Sequence, residues 1–262
     1  MTIIPCTVLQ PFAVLCMILN IPDTRQSELA ARLRDGHQIV AAEAAKEYGV
    51  SIDTIRRDIL ALEAEGRARR VRGGAVSVAP PAAPLHMRLT EGTPVSQTIV
   101  KAAIREIGDA LTLLVDGGRT ALCVVENLPM QDGRLVITPS PWVAIACQSR
   151  GIAVFLLGGT LRPQGGIATG EIALDRVAGV SADIALLGAC GIDEGFGLSS
   201  DDHDEAMMKR AMHAAANRTI VVTEGSKIGR RARHHTLALS EIDMIVTDTK
   251  DEMTWALKAP TT

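Results

Sequence analysis

Hydrophobic residues in the first quarter of the chain recur at the spacing of an α-helix. The pattern predicts a first helix that ends near residues 35–36, a second helix over residues 39–48, and a third that Ser51 caps. A glycine separates the second helix from the third, which is typical of a helix-turn-helix. After Gly66 the chain becomes basic and β-branched, which predicts a two-stranded wing. We therefore expect residues 21–78 to form a winged helix-turn-helix domain.

The rest of the chain alternates short apolar runs with helical patterns. The apolar runs predict strands at residues 111–115, 135–138, 152–157, 183–187, 219–223 and 244–247. Helical spacing separates them at residues 96–108, 119–128, 141–150 and 204–216. Strands that are apolar on both faces and alternate with helices are typical of a parallel sheet covered on both sides. The predicted fold class is α/β, with a Rossmann-like, mostly parallel sheet over residues 95–256.

A proline-rich stretch separates the two parts. Residues 77–84 read SVAPPAAP, and further breakers follow at Gly92 and Pro94. Prolines disfavour both a helix and the pairing of strands, so we predict a linker over residues 79–94. A linker at this position is the expected hinge through which a bound ligand changes the arrangement of the two domains.

Composition and charge narrow the classes of function. With 27 lysines and arginines against 30 acidic residues the net charge is −3, so contact with nucleic acid requires a local basic patch. Three Phe, two Trp and one Tyr leave few aromatic rings for stacking on single-stranded bases. Five widely spaced cysteines without a CxxC pair predict neither disulfides nor a zinc site and favour the reducing cytoplasm.

An apolar run at residues 12–19 is the one candidate targeting segment. No basic residues precede the run and no small-residue cleavage site follows it, which argues against a secretory signal. No apolar stretch reaches the length of about 20 residues that a membrane helix requires. Two alternatives remain for the run: it packs onto the body of the protein, or translation begins at Met17.

The polar face of the third predicted helix offers the first candidate chemistry. If the apolar residues of this helix face the core, Thr54, Arg56 and Arg57 cannot all be buried. A recognition helix presents such N-terminal polar residues to bases and phosphates, and arginine binds guanine or phosphate with two N–H groups. The alternative is a solvated helix face on which Asp58 and Glu63 pair with the arginines.

The predicted wing favours the DNA-binding interpretation. Residues 67–72 contain four arginines and no acidic residue. DNA phosphate is the natural partner of such a patch, and binding that releases counterions depends steeply on salt. The helix and the wing together predict contacts to double-stranded operator DNA through Ser51, Thr54, Arg56, Arg57, Arg69, Arg70 and Arg72. Since reading an operator usually takes two half-sites, we expect a homodimer or a tetramer.

The segment TIRRDILALEAEGRARRVRGGAV, residues 54–76, resembles the signature of the DeoR family of bacterial transcription regulators. The resemblance extends over most of residues 25–250. It implies a repressor of carbohydrate-utilisation genes whose C-terminal domain has a fold shared with ribose-5-phosphate isomerase. It also implies that a phosphorylated sugar releases the protein from DNA, and no cofactor is expected. The adjacent His234 and His235 do not have the i,i+4 spacing of a ligand pair, so no metal site is predicted.

Residues 115–120 are the first part of the sensor site that the resemblance implies. They read VDGGRT, follow the first predicted strand and open a helix, where backbone N–H groups bind an anion. The expected effector contacts here are Asp116, Gly118, Arg119 and Thr120. The family usually has two threonines where this chain has Arg119 and Thr120, so either the phosphate gains a cationic partner or the ligand differs. The alternative is an ordinary turn that needs glycine for a positive φ.

Further effector contacts are implied at the ends of the other strands. Residues 138–140 replace the family's Thr-Asn-Ser by Thr-Pro-Ser, which retains two hydroxyls. After the third strand a glycine pair precedes Arg162, which either reaches a phosphate or pairs with an acid. Residues 224–227 read EGSK where the family has Asp-Ser-Ser-Lys, and Lys227 is the strongest single candidate, with a surface lysine as the alternative. The further positions are Thr138, Ser140, Gly158, Gly159, Arg162, Glu205, Lys209 and Lys227.

Other interpretations of these residues stay open on the sequence. Glu205 and Lys209 have the spacing of a helical ion pair, which has only a structural role if the two side chains bind each other. An isomerase-like enzyme with an appended DNA-binding domain would use Asp116, Glu205 and Lys227 as acid, base and electrophile. A constitutive DNA-binding protein would use its second domain only to oligomerise. Substrate turnover or ligand-induced stabilisation distinguishes these classes from a repressor.

Overall fold

The computed structural model describes residues 21–34, 38–77, 83–91 and 94–249. The chain divides into two compact units, residues 1–79 and 80–262. No helix within the described ranges is both long and apolar enough to cross a membrane. The apolar run at residues 12–19, the end of the first predicted helix and part of the proline-rich stretch lie outside those ranges.

The described part of the first unit contains three helices and a three-stranded antiparallel sheet. The elements are α1 (Pro22–Arg34), β1 (Ile39–Val40), α2 (Ala41–Tyr48), α3 (Ile52–Ala64), β2 (Ala68–Val71) and β3 (Gly74–Ser77). The strands pair in the order β1-β3-β2. The helices bury one hydrophobic cluster that includes Leu29, Leu33, Tyr48, Ile55, Ile59 and Leu62. The predicted winged helix-turn-helix is therefore confirmed.

The second helix of this unit begins two residues later than the pattern predicts. Ile39 and Val40 form β1 and pair with Ala75 and Gly74 of the wing, so α2 begins at Ala41. The pairing requires glycine at position 74, because a Cβ there would lie 1.7 Å from the carbonyl oxygen of Ile39. Local spacing does not reveal a strand whose partner lies more than 30 residues away in the sequence.

The second unit is built on a six-stranded parallel sheet. Its helices are α4 (Leu85–Glu91), α5 (Gln97–Ile107), α6 (Arg119–Asn127), α7 (Pro141–Ser149), α8 (Glu171–Ala178) and α9 (His203–Ala214). Its strands are β4 (Thr112–Val115), β5 (Leu135–Thr138), β6 (Ala153–Leu156), β7 (Thr160–Arg162), β8 (Ile167–Thr169), β9 (Ala182–Gly188), β10 (Gly191–Asp193), β11 (Gly197–Ser200), β12 (Ala216–Val222), β13 (His234–Leu237) and β14 (Met244–Val246). The sheet has the order β14-β12-β9-β4-β5-β6, and every pairing in it is parallel.

Alternate residues of the strands enter two hydrophobic layers. Leu113 and Val115 of β4 pack in a cluster with residues of α5, α6 and α7. Leu114 points to the other face and packs in a cluster with residues of α8 and α9. Strands β9 and β12 divide their residues in the same way. The parallel sheet with both faces covered confirms the predicted α/β class.

Several smaller elements of the second unit are not evident from the sequence pattern. Helix α4 lies inside the segment predicted as a linker, and it begins directly after Pro84, where a proline does not interrupt helical hydrogen bonds. Strands β7 and β8 form a hairpin, and β10, β11 and β13 form a separate antiparallel sheet. These strands have three or four residues each, too few for alternation to stand out.

The strand order places a topological switch point between β4 and β9. From β4 the chain proceeds to β5 and β6 on one side, and then returns to β9 on the other side of β4. In open parallel sheets ligands bind at the carboxyl ends of the strands where the order reverses in this way. The loops after Val115 and Gly188 are therefore where a ligand is expected.

Candidate DNA-binding and effector-binding sites

The start of α3 is fixed by its own side chains. Ser51 is the N-cap, and its Oγ accepts a hydrogen bond of 3.1 Å from the backbone N–H of Thr54. The two hydroxyls lie 2.8 Å apart. A serine cap stabilises a helix by about 1 kcal/mol. Ser51 and Thr54 thus have a structural role at the position where a recognition helix meets DNA.

The two arginines of α3 point into solvent. The side chain of Arg56 is 66% exposed and lies 3.0 Å from Asp53. Arg57 is exposed and, within the described residues, has no ion-pair partner. Asp58 does not pair with either of them, because it is buried and its Oδ2 accepts a 2.6 Å hydrogen bond from Nε of Arg25 in α1.

The wing keeps much of its positive charge available. Arg70 lies 3.8 Å from Glu63, whose Oε1 also accepts a 2.9 Å hydrogen bond from the Arg70 backbone N–H. Arg67 pairs with Glu65 at 2.9 Å. Arg69 on β2 and Arg72 at the turn have no acidic partner in the part of the chain that the structure describes. Exposed ion pairs are worth only about 0–1 kcal/mol, so DNA phosphates can replace these carboxylates at little cost.

Asp116 lies at the switch point and joins three elements of the sensor unit. It follows β4, and its Oδ2 accepts a 3.0 Å hydrogen bond from the backbone N–H of Gly188 at the end of β9. The same carboxylate forms an ion pair with Lys209 of α9, and the two side chains are 1% and 6% exposed. Burial lowers the pKa of Lys209, but the attraction of Asp116 and Glu205 raises it by more. Lys209 is therefore a charged lysine held by Asp116 and not by Glu205.

Glu205 is a buried carboxylate that forms no ion pair with any residue in the described ranges. Its backbone belongs to the first turn of α9, which Asp202 caps by accepting hydrogen bonds from two backbone N–H groups. Burial raises the pKa of Glu205, and the nearby Asp116 raises it further while Lys209 opposes the shift. The carboxylate packs against Gly165, where a Cβ would lie 2.2 Å from its Oε1.

Three buried oxygens around this point accept no hydrogen bond from any described residue. They are Oδ1 of Asp116, Oε1 of Glu205 and Oγ of Ser140. Gly117 follows Asp116 and lies next to both Gly165 and Ser140, since a Cβ there would lie 2.9 Å from the carbonyl oxygen of Gly165 and 3.5 Å from Cβ of Ser140. A buried acceptor without a donor costs about 1–3 kcal/mol, so groups of this kind are expected where a ligand supplies the donor. We call Asp116, Glu205 and Ser140 the acceptor cluster.

Cationic and uncharged groups adjoin the acceptor cluster. Lys227 is half-buried and has no ion-pair partner in the described ranges. Burial lowers its pKa, and the neighbouring Arg230 lowers it further. Burial also raises the pKa of the Cys190 thiol, which lies close enough to Lys209 and Glu205 for their charges to affect it. This shift disfavours the thiolate form that a nucleophilic cysteine requires.

Arg119 and Glu224 form an ion pair with each other. Arg119 begins α6 after β4, and Glu224 follows β12. At both positions this chain differs from the residue that the DeoR family usually has, and the structure brings these two differences into contact. The charge of Arg119 is thus partly balanced by a carboxylate of this chain.

The remaining predicted positions lie in several surroundings. Gly118 is the N-cap of α6 and Thr120 lies in its first turn. No described side chain caps this helix, so its first backbone N–H groups have neither an intrahelical nor a side-chain partner. Oγ1 of Thr138 accepts a 3.1 Å hydrogen bond from the Ser140 backbone N–H. Arg162 is exposed and pairs with Asp204, and a Cβ at Gly158 or Gly159 would contact Arg176 of α8 or Thr169 of β8. These contacts do not bring Gly158, Gly159 or Arg162 into the acceptor cluster.

Sequence reasoning missed Arg88, which lies on α4. Its Nε donates a 2.9 Å hydrogen bond to the carbonyl of Ala83, and its Nη2 donates one of 2.6 Å to the carbonyl of Gln164. The charge of Arg88 acts on both Glu205 and Lys227. The helical spacing of Leu85 and Leu89 was the available signal, but the prolines before it pointed to a linker.

Metal binding has no support in the described ranges. They contain no group of three or more His, Cys, Asp or Glu side chains that could hold an ion. The rings of His203 and His234 pack edge to face with their centres 5.5 Å apart. These histidines are packing partners in the structure.

Comparisons with known proteins match both units. A family model described as a DeoR-like helix-turn-helix domain matches residues 25–80, and one described as the DeoR C terminal sensor domain matches residues 95–249. The HTH-type transcriptional regulator GlpR of Haloferax volcanii is 30% identical over 87% of this chain and 90% of its own. The glycerol-3-phosphate regulon repressor of Escherichia coli strain K12 is 29% identical over 79% of this chain and 82% of its own.

Solved structures show a weaker similarity. The ribose 5-phosphate isomerase A of Methanocaldococcus jannaschii matches 50% of this chain and 52% of its own, with 17% identity and a TM-score of 0.37. A similarity of this size says nothing about activity.

Proposed function

The chain belongs to the DeoR family of DNA-binding transcriptional regulators, and on that premise we propose that it represses carbohydrate-catabolic genes until a phosphorylated sugar binds its sensor unit. The relative in Escherichia coli strain K12 is named a repressor of the glycerol-3-phosphate regulon, which supports a phosphorylated metabolite as the signal. The observation that carries the proposal is the acceptor cluster at the switch point, together with the nearby cations Lys227 and Arg88, which have no ion-pair partner among the described residues.

The chemistry of the site fits a polyol with one anionic end. Sugar hydroxyls would donate to Oδ1 of Asp116 and to Oε1 of Glu205, which are acceptors without a donor in the described residues. A phosphate would bind Lys227 and the uncapped N–H groups at the start of α6. The effector is the only small molecule proposed, and no cofactor is part of the proposal.

The DNA partner is double-stranded operator DNA. Arg57 of α3, with Arg69 and Arg72 of the wing, supplies positive charge that no described carboxylate neutralises. Arg56 and Arg70 exchange weak surface pairs for phosphates or base edges. Since operators lie on the bacterial chromosome, the proposed place of action is the cytoplasm.

We also propose a dimer or tetramer assembled through the sensor unit. Strand β6 pairs only with β5 among the described strands, so it is an edge of the sheet. It exposes Phe155 and Leu156, and α7 beside it exposes Trp142 and Ile145. Apolar residues grouped at a sheet edge are typical of an interface between copies of a chain. Light scattering should give the mass of an oligomer, and Phe155→Lys should lower it; a monomeric parent protein contradicts this part of the proposal.

The isomerase alternative is not favoured. The carboxylate of Asp116 is held by Lys209 and by the Gly188 N–H, so it has a structural role at the site. The curated relatives reported above are named as regulators and not as enzymes. We propose that the chain does not isomerise ribose 5-phosphate, and turnover that Glu205→Gln abolishes would contradict this.

Fluorescence anisotropy tests the repressor proposal directly. Labelled DNA from upstream of the protein's own operon is titrated with protein at several salt concentrations, and then with sugar phosphates and the matching free sugars. The expected result is tight binding that weakens steeply with salt and is reversed by a phosphorylated sugar but not by the free sugar. Binding equal to that of random DNA under all conditions would overturn the proposal.

A further inference from the structure

Helix α4 contacts the sensor unit through the loop at residues 163–166 and through Leu89, which packs against the hydrophobic cluster of α5, α6 and α7. In chain order it is the first described element after the wing. The side chain of Leu85 is only 1% exposed, and its backbone N–H donates a 2.9 Å hydrogen bond to the carbonyl of Pro163. A Cβ at Gly166 would lie 2.2 Å from Cδ2 of Leu85, so this side chain fills the space beside the glycine. The loop at residues 163–166 therefore holds the first residue of α4 in place.

The same loop forms a wall of the acceptor cluster. Gly165 packs against the carboxylate of Glu205, and its carbonyl oxygen faces Gly117, the residue after Asp116. Neither glycine has room for a side chain, since a Cβ at Gly117 would lie 2.2 Å from Cγ2 of Ile167. This segment thus contacts α4 through Pro163 and Gly166, and it contacts the acceptor cluster through Gly165.

Arg88 of α4 is hydrogen-bonded to the loop at residues 163–166 and is close enough to Glu205 of the acceptor cluster for its charge to act on that carboxylate. Its two hydrogen bonds to the carbonyls of Ala83 and Gln164 use two of its five N–H groups. No carboxylate within the described ranges pairs with it. Burial lowers the pKa of Arg88, and the charges of Glu205 and Asp201 oppose that shift. A guanidinium that is half-buried without an anion is well placed to receive one from a ligand.

We propose that Arg88 binds the anionic group of the effector and so makes the position of α4 depend on whether the site is occupied. This inference rests on the proposed function and deepens it, because it assigns both a ligand contact and the element that transmits binding. Arginine holds phosphate through two parallel hydrogen bonds, so a bound phosphate would fix α4 to the sensor unit more firmly than the two carbonyls do alone. Since the chain runs from α4 back to the DNA-binding unit, a change at α4 alters the restraint on that unit.

Phosphate binding to the full-length chain tests the ligand contact. The probe is inorganic phosphate, followed by phosphorus NMR line broadening and by thermal shift. Arg88→Gln should weaken phosphate binding by about tenfold or more, because a hydrogen bond to a charged group is lost. Arg88→Lys, which keeps the charge, should lose less. The matched control is Arg150→Gln, since Arg150 is also half-buried and, within the described residues, donates only to the backbone carbonyls of Leu128 and Glu126.

Hydrogen exchange of the α4 backbone tests the transmission step in the same samples. Amides of residues 85–91 should become more protected when phosphate binds the parent protein and Arg150→Gln, but not when it is added to Arg88→Gln. Equal phosphate affinity in Arg88→Gln and the parent, or unchanged α4 protection in the parent, overturns the inference and leaves the proposed function intact. A parent protein that binds no phosphate overturns the phosphorylated effector together with the role of Arg88. A circular dichroism melt identifies a variant that fails to fold, in which case Arg88→Lys decides the outcome.

Discussion

The charged residues of the DNA-binding unit and those of the sensor unit differ in how much water surrounds them. On α3 the pair Arg56–Asp53 is 66% and 75% exposed, whereas Asp116 and Lys209 of the sensor are 1% and 6% exposed. Exposed pairs contribute about 0–1 kcal/mol, while removing one member of a buried pair costs about 3–5 kcal/mol. The ion pairs on the DNA-binding surface can therefore be exchanged for other partners at little cost, whereas the buried pair fixes the geometry of the sensor site.

The first unit also contains a buried ion pair, which stabilises the packing of its helices and is separate from the exposed arginines proposed to bind DNA. Arg25 of α1 and Asp58 of α3 are 2% and 3% exposed and lie 2.6 Å apart. Because Asp58 is directed inward, it does not neutralise the neighbouring Arg57. In α3, Asp58 therefore holds the helix against α1, while the preceding Arg57 remains exposed.

The largest expected effect follows from breaking the buried pair of the sensor. Lys209→Met leaves the carboxylate of Asp116 buried without its cation, so the free energy of unfolding of the full chain should fall by about 3–5 kcal/mol in a urea titration. The control is Lys101→Met, because Lys101 is an exposed lysine of α5 without an ion-pair partner among the described residues. Loss of less than about 1 kcal/mol from Lys209→Met would contradict the assigned pair.

The next effect concerns the exposed surface of α3. Arg57→Ala should weaken operator binding by about 1–3 kcal/mol if the side chain reads a base, because a charge-assisted contact to DNA is lost. Its unfolding midpoint should stay that of the parent, since the side chain is solvated. Arg105→Ala on α5 is the control for loss of positive charge. Operator affinity equal to that of the parent would remove Arg57 from the recognition surface.

A smaller effect is expected from the pH dependence of stability. The pKa of Glu205 is raised in the folded protein, so folding favours its protonated form. Its contribution to stability is present at low pH and is lost as the pH rises above the ordinary glutamate range of about 4.

Unfolding titrations at several pH values check the role of Glu205. In Glu205→Gln this decline should be absent, whereas Glu171→Gln, at an exposed position of α8, should keep it. An identical pH dependence in Glu205→Gln and the parent means that the carboxylate is not buried as described.

The smallest expected effect is the coupling between Arg119 and Glu224. Their side chains are 19% and 25% exposed, so a double-mutant cycle of Arg119→Thr and Glu224→Gln should give a coupling energy of about 0.5–1 kcal/mol. Unfolding of the four proteins in urea measures it. A coupling energy of zero would show that the two departures from the family pattern are independent.

The sequence predicts the sheet well because its inner strands are buried on both faces. Residues 135–138 match β5, and the other predicted strands agree with the observed ones within a few residues. The helices of the first unit are likewise visible from apolar spacing. By contrast, β1 and α4 depend on contacts with Gly74 and with residues 163–166, which lie far away in the sequence. Local propensity does not contain that information.

The sequence also identifies candidate site residues better than it identifies their partners. Helical spacing pairs Lys209 with Glu205, but the structure pairs it with Asp116, 93 positions away. The roles predicted for the DNA-binding and effector-binding residues stay predictions. What the structure adds is that Asp116, Ser140 and Glu205 converge on one place, which requires the sheet order and could not be predicted from spacing.

The central claim is that the first unit binds DNA and the second unit binds the effector. The most direct test of this claim is operator release by the variant Lys227→Met. Lys227 belongs to the sensor unit, so the variant should bind operator DNA with the affinity of the parent and should no longer be released by the sugar phosphate that releases the parent. Anisotropy of labelled operator DNA measures both properties in one titration. Release equal to that of the parent, or a loss of operator affinity without ligand, would contradict the account.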